Sequence, residues 1–439
     1  MNGDGFSEFS LIDKIKSGFS ELVKGGGVVG IGDDCAIIPQ NSGKDTLVSA
    51  DLLVEGVHFI LPDVQAAASD ISTVNESGSS HTGSPINKEA QNSRVGGISA
   101  YELGWKSAAV NISDIAGMGG KPMATFLSIA IPERIRTMLV RRFPDQETCV
   151  DSCKGNQEVR NSNEDETYVP WLEEFFRGYK AISSKYDVAL LGGDTTSSLD
   201  KLCINVTVLG ECEHGKAVRR KAAQAGDLIC VTGNLGDSAA GLKLLLSNNA
   251  VCARTETIQC ANAKVNPLHA SDNKERLLHK HHMPEPRVKE GIALAKVQGI
   301  GAMMDISDGI ASDLKHILEE SNACRVKSRC VDKDGQQAES ESTGSQSYKT
   351  YQQNLIAIVD VNRLPLSDCM KRVCEENGWD PVELAVGGGE DYELLFTCRP
   401  DAQLPVEYYV IGEIIEQSNG REDIIWKGTD RNFSGFNHF

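Results

Sequence analysis

Asp33 and Asp34 stand side by side in GIGDDCAIIP, between a glycine-rich approach (GGGVVGIG) and an apolar run. Like charges so placed repel unless something positive sits beside them: a lysine, bulk water or a metal ion. Other short acidic motifs recur at strand ends and turns. VSADLLVEGVHF carries Ser49, Asp51 and His58; NISDIAGMGG carries Asp114; LLGGDTTSS carries Asp194. MDISDGIASD carries Asp305 and Asp308, and GGGEDYELLF carries Glu390 and Asp391. Carboxylates with hydroxyl and carbonyl neighbours are hard oxygen ligands suited to magnesium. Magnesium keeps several waters and reaches few carboxylates per ion, so this many acids implies more than one ion, bound with substrate phosphates. The adjoining glycines let backbone N–H groups approach phosphate oxygens. Each motif alone is ordinary turn chemistry; their joint occurrence carries the reading. GNLGDSAAG lacks the G-x-x-x-x-G-K-[ST] pattern and reads as a tight strand–helix turn with small residues for packing.

Strand-like runs must position these acids: TLVSADLLV, ATFLSIAIP, VALLGGD, LCINVTVLGEC, DLICVTG, LIAIVDV and YELLFTC, rich in β-branched and aromatic residues. Between them lie helical patterns: ISAYELGWKSAAVNISDIAGMGG, EFFRGYKAISSKY, DSAAGLKLLLS and GIASDLKHILEES. The order is mixed rather than a strict βαβ alternation, which predicts an α+β fold. A boundary is expected near Cys212–Lys221, dividing residues 1–212 from 213–439. Four polar stretches read as surface loops inserted into a compact chain: Gln65–Arg94, Pro144–Thr167, Asn248–Arg276 and Arg325–Lys349.

The net charge of -18 argues against nucleic acid as the main partner. Anionic substrates stay possible, because a metal bridges acid to phosphate. No apolar run approaches the roughly 18 residues a membrane span needs, and the polar start MNGDGFSEFSLIDKIK is unlike a signal peptide. The 13 cysteines are odd in number, and Cys203 and Cys230 sit in apolar runs, as reduced buried thiols do. A cytoplasmic protein is expected. Cys212-x-His214 and the His279, His281, His282 group have no second half at zinc-site spacing, and both read as solvated loop.

Taken together, the motifs resemble the thiamine-monophosphate kinase family. FSLIDKI, GIGDDCAII, SADLLVEGVHF, WKSAAVNISDIAGMGGKP, LLGGDTTSS, VTGNLGDSAAGL, PEPRVKEG, DISDGIASDL, GGGEDYELLFT and the terminal GFNHF occur in the family's order along the whole chain. The resemblance extends to a superfamily with aminoimidazole-ribonucleotide synthetase and selenophosphate synthetase. It implies two α/β domains, with N-terminal sheets pairing across a homodimer and the ATP site near that interface. It further implies ATP-dependent conversion of thiamine monophosphate to thiamine diphosphate. Asp34, Ser49, Ala50, Asp51, Asp114, Asp194, Asp305 and Asp308 would hold magnesium, Ala50 through its backbone carbonyl where the family often has threonine. Asp33 would assist or orient its neighbour. Tyr186, Gly193, Asp194, Arg220 and Ser307 would approach the nucleotide. His58, Glu390 and Phe436 would contact thiamine monophosphate, Phe436 by stacking on the cationic thiazolium. Asn437 stands where an aspartate is common. Transfer would be direct and in line, since a phosphate oxygen is already ionised at pH 7 and needs no strong general base. The rival readings are another ATP-using synthetase of the superfamily and a non-catalytic paralogue that binds thiamine phosphates or nucleotide.

Overall fold

A computed structural model describes residues 12, 15–17, 27–62, 97–141, 168–252, 267–329, 353–418 and 423–435. The first half runs β1 (Ala36–Pro39), β2 (Lys44–Val54), α1 (Ala100–Gly117), β3 (Lys121–Pro132), α2 (Glu133–Arg136), β4 (Leu139–Arg141), β5 (Tyr168–Pro170), α3 (Trp171–Tyr186), β6 (Ala189–Ser198) and β7 (Cys203–Glu213). The second runs β8 (Leu228–Val231), α4 (Asp237–Cys252), α5 (Pro267–His282), α6 (Val288–Leu294), β9 (Ile300–Asp305), α7 (Ile310–Arg329), β10 (Gln353–Asp360), α8 (Asp368–Asn377), α9 (Pro381–Gly387), β11 (Leu394–Cys398), β12 (Tyr409–Ser418) and β13 (Ile424–Lys427).

The strands form a five-stranded sheet of order β1-β2-β7-β3-β6, a six-stranded sheet of order β13-β10-β12-β8-β11-β9, and the small β4-β5 pair. Pairing is antiparallel except for β3 with β6 and β10 with β13. The two large sheets draw their strands from opposite sides of the expected boundary. One apolar core nevertheless joins them: Leu53, Leu127 and Ile204 of the first sheet cluster with Cys230, Met303 and Phe396 of the second. The alternation of a strand explains how one sheet serves two cores. Cys230 and Met303 face that shared core, while Ile229, Val231 and Met304 face Ile310, Leu314 and Ile317 of α7.

Helix α1 lies between the sheets, against β2 and β7 on one side and β9 on the other. It starts in a capping box: the Ser99 side chain accepts from Glu102 N, and Glu102 Oε2 accepts from Ser99 N at 3.0 Å. It is buried on almost every side, its polar Glu102, Lys106, Ser107, Asn111 and Ser113 included. Its crossing with α3 depends on small residues. A Cβ on Gly104 would lie 1.9 Å from the Phe175 carbonyl, and one on Gly178 would lie 1.9 Å from the Tyr101 carbonyl.

The expected strands and helices are all present. The polar stretches differ from their reading as loops wherever they are described. Residues 248–252 complete α4, 267–276 open α5, and 325–329 complete α7. The remainder of those two stretches, residues 65–94 and residues 144–167 lie outside the described residues. Among the described residues, no helix is long and apolar enough to cross a membrane.

Candidate active site

A cleft of about 840 Å³ opens between the two sheets, and all the acidic motifs but LLGGDTTSS send a residue to it. Each comes from a different element. Ser49 and Asp51 sit two apart on β2 and so share one face, while the intervening Ala50 points to the other. Asp114 comes from the last turn of α1, and Asp305 ends β9. Ser307 and Asp308 form the turn into α7. Asp33 and Asp34 lie in the bend before β1.

The positive charge beside Asp33 and Asp34 is neither lysine nor water but two arginines. Arg219 Nε donates to Asp33 Oδ2 at 2.6 Å, and the Arg220 amide donates to Asp33 Oδ1 at 3.0 Å. Arg220 Nε donates to Asp34 Oδ1 at 2.9 Å, with a second bond from Nη2. Asp33 is thereby fully used. Asp34 is not: its Oδ2 is buried and, among the described residues, has no hydrogen-bond partner. A Cβ on Gly117 would lie 2.5 Å from that oxygen and 2.9 Å from the Asp305 amide. Position 117 therefore has to be glycine for α1 to pass so near the carboxylates.

The cluster is electrostatically unbalanced. Burial, then the charges of Asp34 and Asp308, push the Asp51 carboxyl up to about 6. Burial and Asp34 push Asp305 up to about 8, against the 2.5 Å hydrogen bond that Ser113 Oγ donates to it. Burial and the Asp51, Asp305 and Asp34 charges drive Asp114 well above the carboxylate range, and its Oδ2 also has no partner. Oxygen-only donors, unused buried oxygens and mutual repulsion fit a hard divalent cation. Among the described residues, no group of three or more His, Cys, Asp or Glu side chains is drawn together closely enough to hold an ion alone. Magnesium does not need such a cage, because waters and phosphate oxygens complete its octahedron.

The wall of the cleft is built by two touching loops. Gly309 has φ +95° and packs on the Gly387–Gly388 backbone, and a Cβ on Gly389 would lie 2.2 Å from the Ser307 carbonyl. Glu390 and Tyr392 take positive φ values of 63° and 51°, held by amide bonds to Ser307 O and Ile306 O. Such strain in non-glycine residues is tolerated where the surroundings enforce it. It presents Glu390 to the cleft from above a buried cation. Lys106, fully buried on α1, lies 2.9 Å from Glu390 Oε1, and His281 Nδ1 lies 3.3 Å from Oε2. Burial and the nearby Lys106 charge hold the His281 imidazole well below its ordinary pKa, hence neutral. His58 lines the same cleft. Its Nδ1 accepts from the Val54 amide at 3.0 Å, which places its ring proton on Nε2.

Three expected positions are not brought to this cleft within one chain. Gly193 and Asp194 lie on exposed β6, where Asp194 Oδ1 accepts from the Thr195 amide. Across the sheet, Asp51 pairs with Val206, Val206 with Leu127 and Leu127 with Gly193. That is three strand spacings, about 14 Å. The Tyr186 hydroxyl lies 3.0 Å from Glu285 Oε2 and from the Pro286 carbonyl. Phe436 and Asn437 lie outside the described residues. His281 and His282 are buried at the end of α5, contrary to their reading as solvated loop. Cys35 is buried, and burial with the Asp114 charge pushes its thiol well up, so it is no nucleophile.

Comparisons with known proteins give the family. The family described as AIR synthase related protein, N-terminal domain, matches residues 81–159 and 159–212. The chain is 32% identical over 424 residues to the thiamine-monophosphate kinase of Bacillus subtilis (strain 168), covering 94% of this chain and 93% of that protein. The chain belongs to the thiamine-monophosphate kinase family. A second family member, from Salmonella typhimurium, is 29% identical and spans 96% of this chain and 97% of its own length. Among solved structures, "AaThiL complexed with AMPPCP and TMP" is 26% identical, covers 100% of this chain and 99% of its own, and has a TM-score of 0.64. The thiamine monophosphate kinase of Aquifex aeolicus matches at 25% identity over 95% of this chain and 96% of its own, with a TM-score of 0.58.

Proposed function

We propose that this family member is an ATP-dependent kinase that moves the γ-phosphoryl group of ATP onto the phosphate of thiamine monophosphate, giving thiamine diphosphate. The observation that carries the reading is the cleft itself, where carboxylates from four separate segments converge with buried oxygens unused. Family membership and the likeness to a structure named for AMPPCP and TMP support it.

Asp34, Ser49, the Ala50 carbonyl, Asp51, Asp114, Asp305 and Asp308 would hold magnesium. When bound, the ions neutralise charge on two anionic reactants and hold their phosphate oxygens in line. The protein residues do the rest. Arg220, tied to Asp34, places a guanidinium at the cleft and orients that carboxylate. Ser307 and the glycine backbone of residues 387–389 let phosphate approach closely. Glu390 accepts from the aminopyrimidine, His58 offers an Nε2 proton, and Phe436 stacks on the thiazolium. No general base is placed, and none is required by an ionised acceptor.

Gly193, Asp194 and Tyr186 enter this reading through a second copy. The outer face of the first sheet exposes Leu52, Met123, Phe126, Leu190 and Leu191. Among the described residues strand β6 is the edge of its sheet with no further strand paired to it, a state proteins otherwise shield. A homodimer closing over that face puts Gly193 and Asp194 beside the nucleotide near the interface. On this reading, residues 1–212 form the ATP-binding and dimerisation domain and 213–439 the second domain. Free buried thiols at Cys35, Cys230, Cys374 and Cys398 suit the cytoplasm.

The test is turnover. Purified protein with magnesium, ATP and thiamine monophosphate should yield ADP and thiamine diphosphate, separated by chromatography, and free thiamine should yield nothing. ATP binding with no phosphorylated product from folded protein would overturn the reading in favour of a binding paralogue.

A further inference from the structure

Helix α7 sends one more acid to the cleft, the last residue of MDISDGIASD, to which the sequence reading gives no role. Asp313 lies in its first turn, with its amide bonded to the Gly309 carbonyl at 3.0 Å. Its side chain is wholly buried yet lines the cleft behind Asp305 and Asp308. Among the described residues neither carboxylate oxygen has a partner at full hydrogen-bond geometry, and the Asp308 backbone reaches it only weakly. The commonplace role for an acid at this position is to complement the helix dipole. That role is filled at the surface, where solvent satisfies the carboxylate. A sealed carboxylate with both oxygens unused costs free energy unless a cation reaches it.

The groups that face it are accounted for. Arg220 is the cation whose charge acts on it, and its guanidinium is taken by Asp34. His316, one turn along α7, lines the same cleft and pairs with Glu319. The remaining neighbours, Asp305 and Asp308, are negative, and with burial they push the Asp313 carboxyl well above the ordinary range. The Asp308 backbone pulls it down only as the weakest influence.

We propose that Asp313 is a further carboxylate of the divalent-cation site, acting from behind Asp305 and Asp308 on the ion or on its bound water. This rests on the magnesium reading above and adds a residue to it. Carboxylates behind the direct ligands typically change metal affinity 10–100-fold when removed.

The probe is manganese, counted by electron paramagnetic resonance in the full-length protein without nucleotide. Asp313→Asn should weaken the tightest manganese class about tenfold or more. The same variant should gain less melting temperature than the wild type when manganese is added. An Asp313→Asn isotherm and metal-induced melting shift equal to wild type would overturn the proposal. If Asn leaves the chain unfolded, Asp313→Ser removes the carboxylate in a smaller volume and reads the same titration. Wild-type protein that binds no manganese either alone or with a non-hydrolysable ATP analogue would instead overturn the magnesium reading as a whole.

Discussion

Glu393, just before β11, is as deeply buried as Asp305 at the end of β9, each 2% exposed. The two stand beside each other across one ladder, where the Ile306 amide donates to the Glu393 carbonyl at 2.8 Å. Their surroundings are opposite. Glu393 receives Arg287 through two nitrogens, one at 2.6 Å, and the Thr232 hydroxyl at 2.8 Å, with Lys280 Nζ 3.9 Å away. Asp305 receives one hydroxyl and faces Asp34 and Asp51, with only the charge of Arg220, already bonded to Asp34, against them. A buried acid with its counter-charge supplied by the chain is a structural lock. A buried acid without one is half of a site whose other half arrives with the ligand.

That contrast is open to direct attack. The largest expected effect is on the unbalanced side: Asp51→Asn should lower kcat about 10³-fold, roughly 4 kcal/mol of lost transition-state stabilisation. The melting temperature of the metal-free protein should hold or rise, because a repelled charge is removed. A variant that turns over normally with unchanged magnesium dependence would place Asp51 outside the chemistry. On the balanced side, Arg287→Met strands the Glu393 charge. It should cost about 2–4 kcal/mol in a urea titration, below the value for a sealed pair because Arg287 is partly exposed. Its magnesium activation curve should be unchanged.

Lys106→Met tests a third arrangement, an acid held by a cation so as to face a substrate. The KM for thiamine monophosphate should rise about tenfold, near 1.4 kcal/mol, while the KM for ATP stays put. Equal rises in both would make Lys106 a general packing residue. The smallest effect is on pH dependence. Asp51 and Asp305 have pKa values raised above their unfolded values, so the stability they allow is fully present below about pH 4. It is lost as pH rises through about 6 and about 8. The metal-free protein should therefore melt a few degrees lower at pH 8 than at pH 5. Saturating magnesium should flatten that slope; an identical slope with and without magnesium would separate these carboxylates from the ion.

Much of the site is legible in short stretches because acids beside glycine at strand ends are a local pattern. The residues that complete it are not. Arg219 reaches Asp33 across 186 positions, and no spacing rule links them. Lys106 looks like a surface lysine in GWKSAAV, but α1 is enclosed between two sheets and keeps none of its faces wet. Asp313 did leave a signal: it lies three residues after Ile310 and four before Ile317, on the apolar stripe of α7. His281 and His282 read as solvated loop in the sequence because no second half stands at zinc-site spacing. The α5 helix instead turns both rings inward, where Ser238 Oγ sits 3.0 Å from His281 Nδ1.

By itself the sequence determined the α+β class, the strands and helices that carry the acids, the family, and the hard-oxygen character of the site. Those follow from local periodicity and from residue types whose chemistry travels with them. The tertiary structure decided which charges are balanced. That depends on dielectric and on partners brought from far along the chain: two arginines for Asp33 and Asp34, Arg287 for Glu393, Lys106 for Glu390. It also decided that Asp194 stands on an open edge about 14 Å across the sheet from Asp51's row, because strand order is set by packing and not by position in the chain.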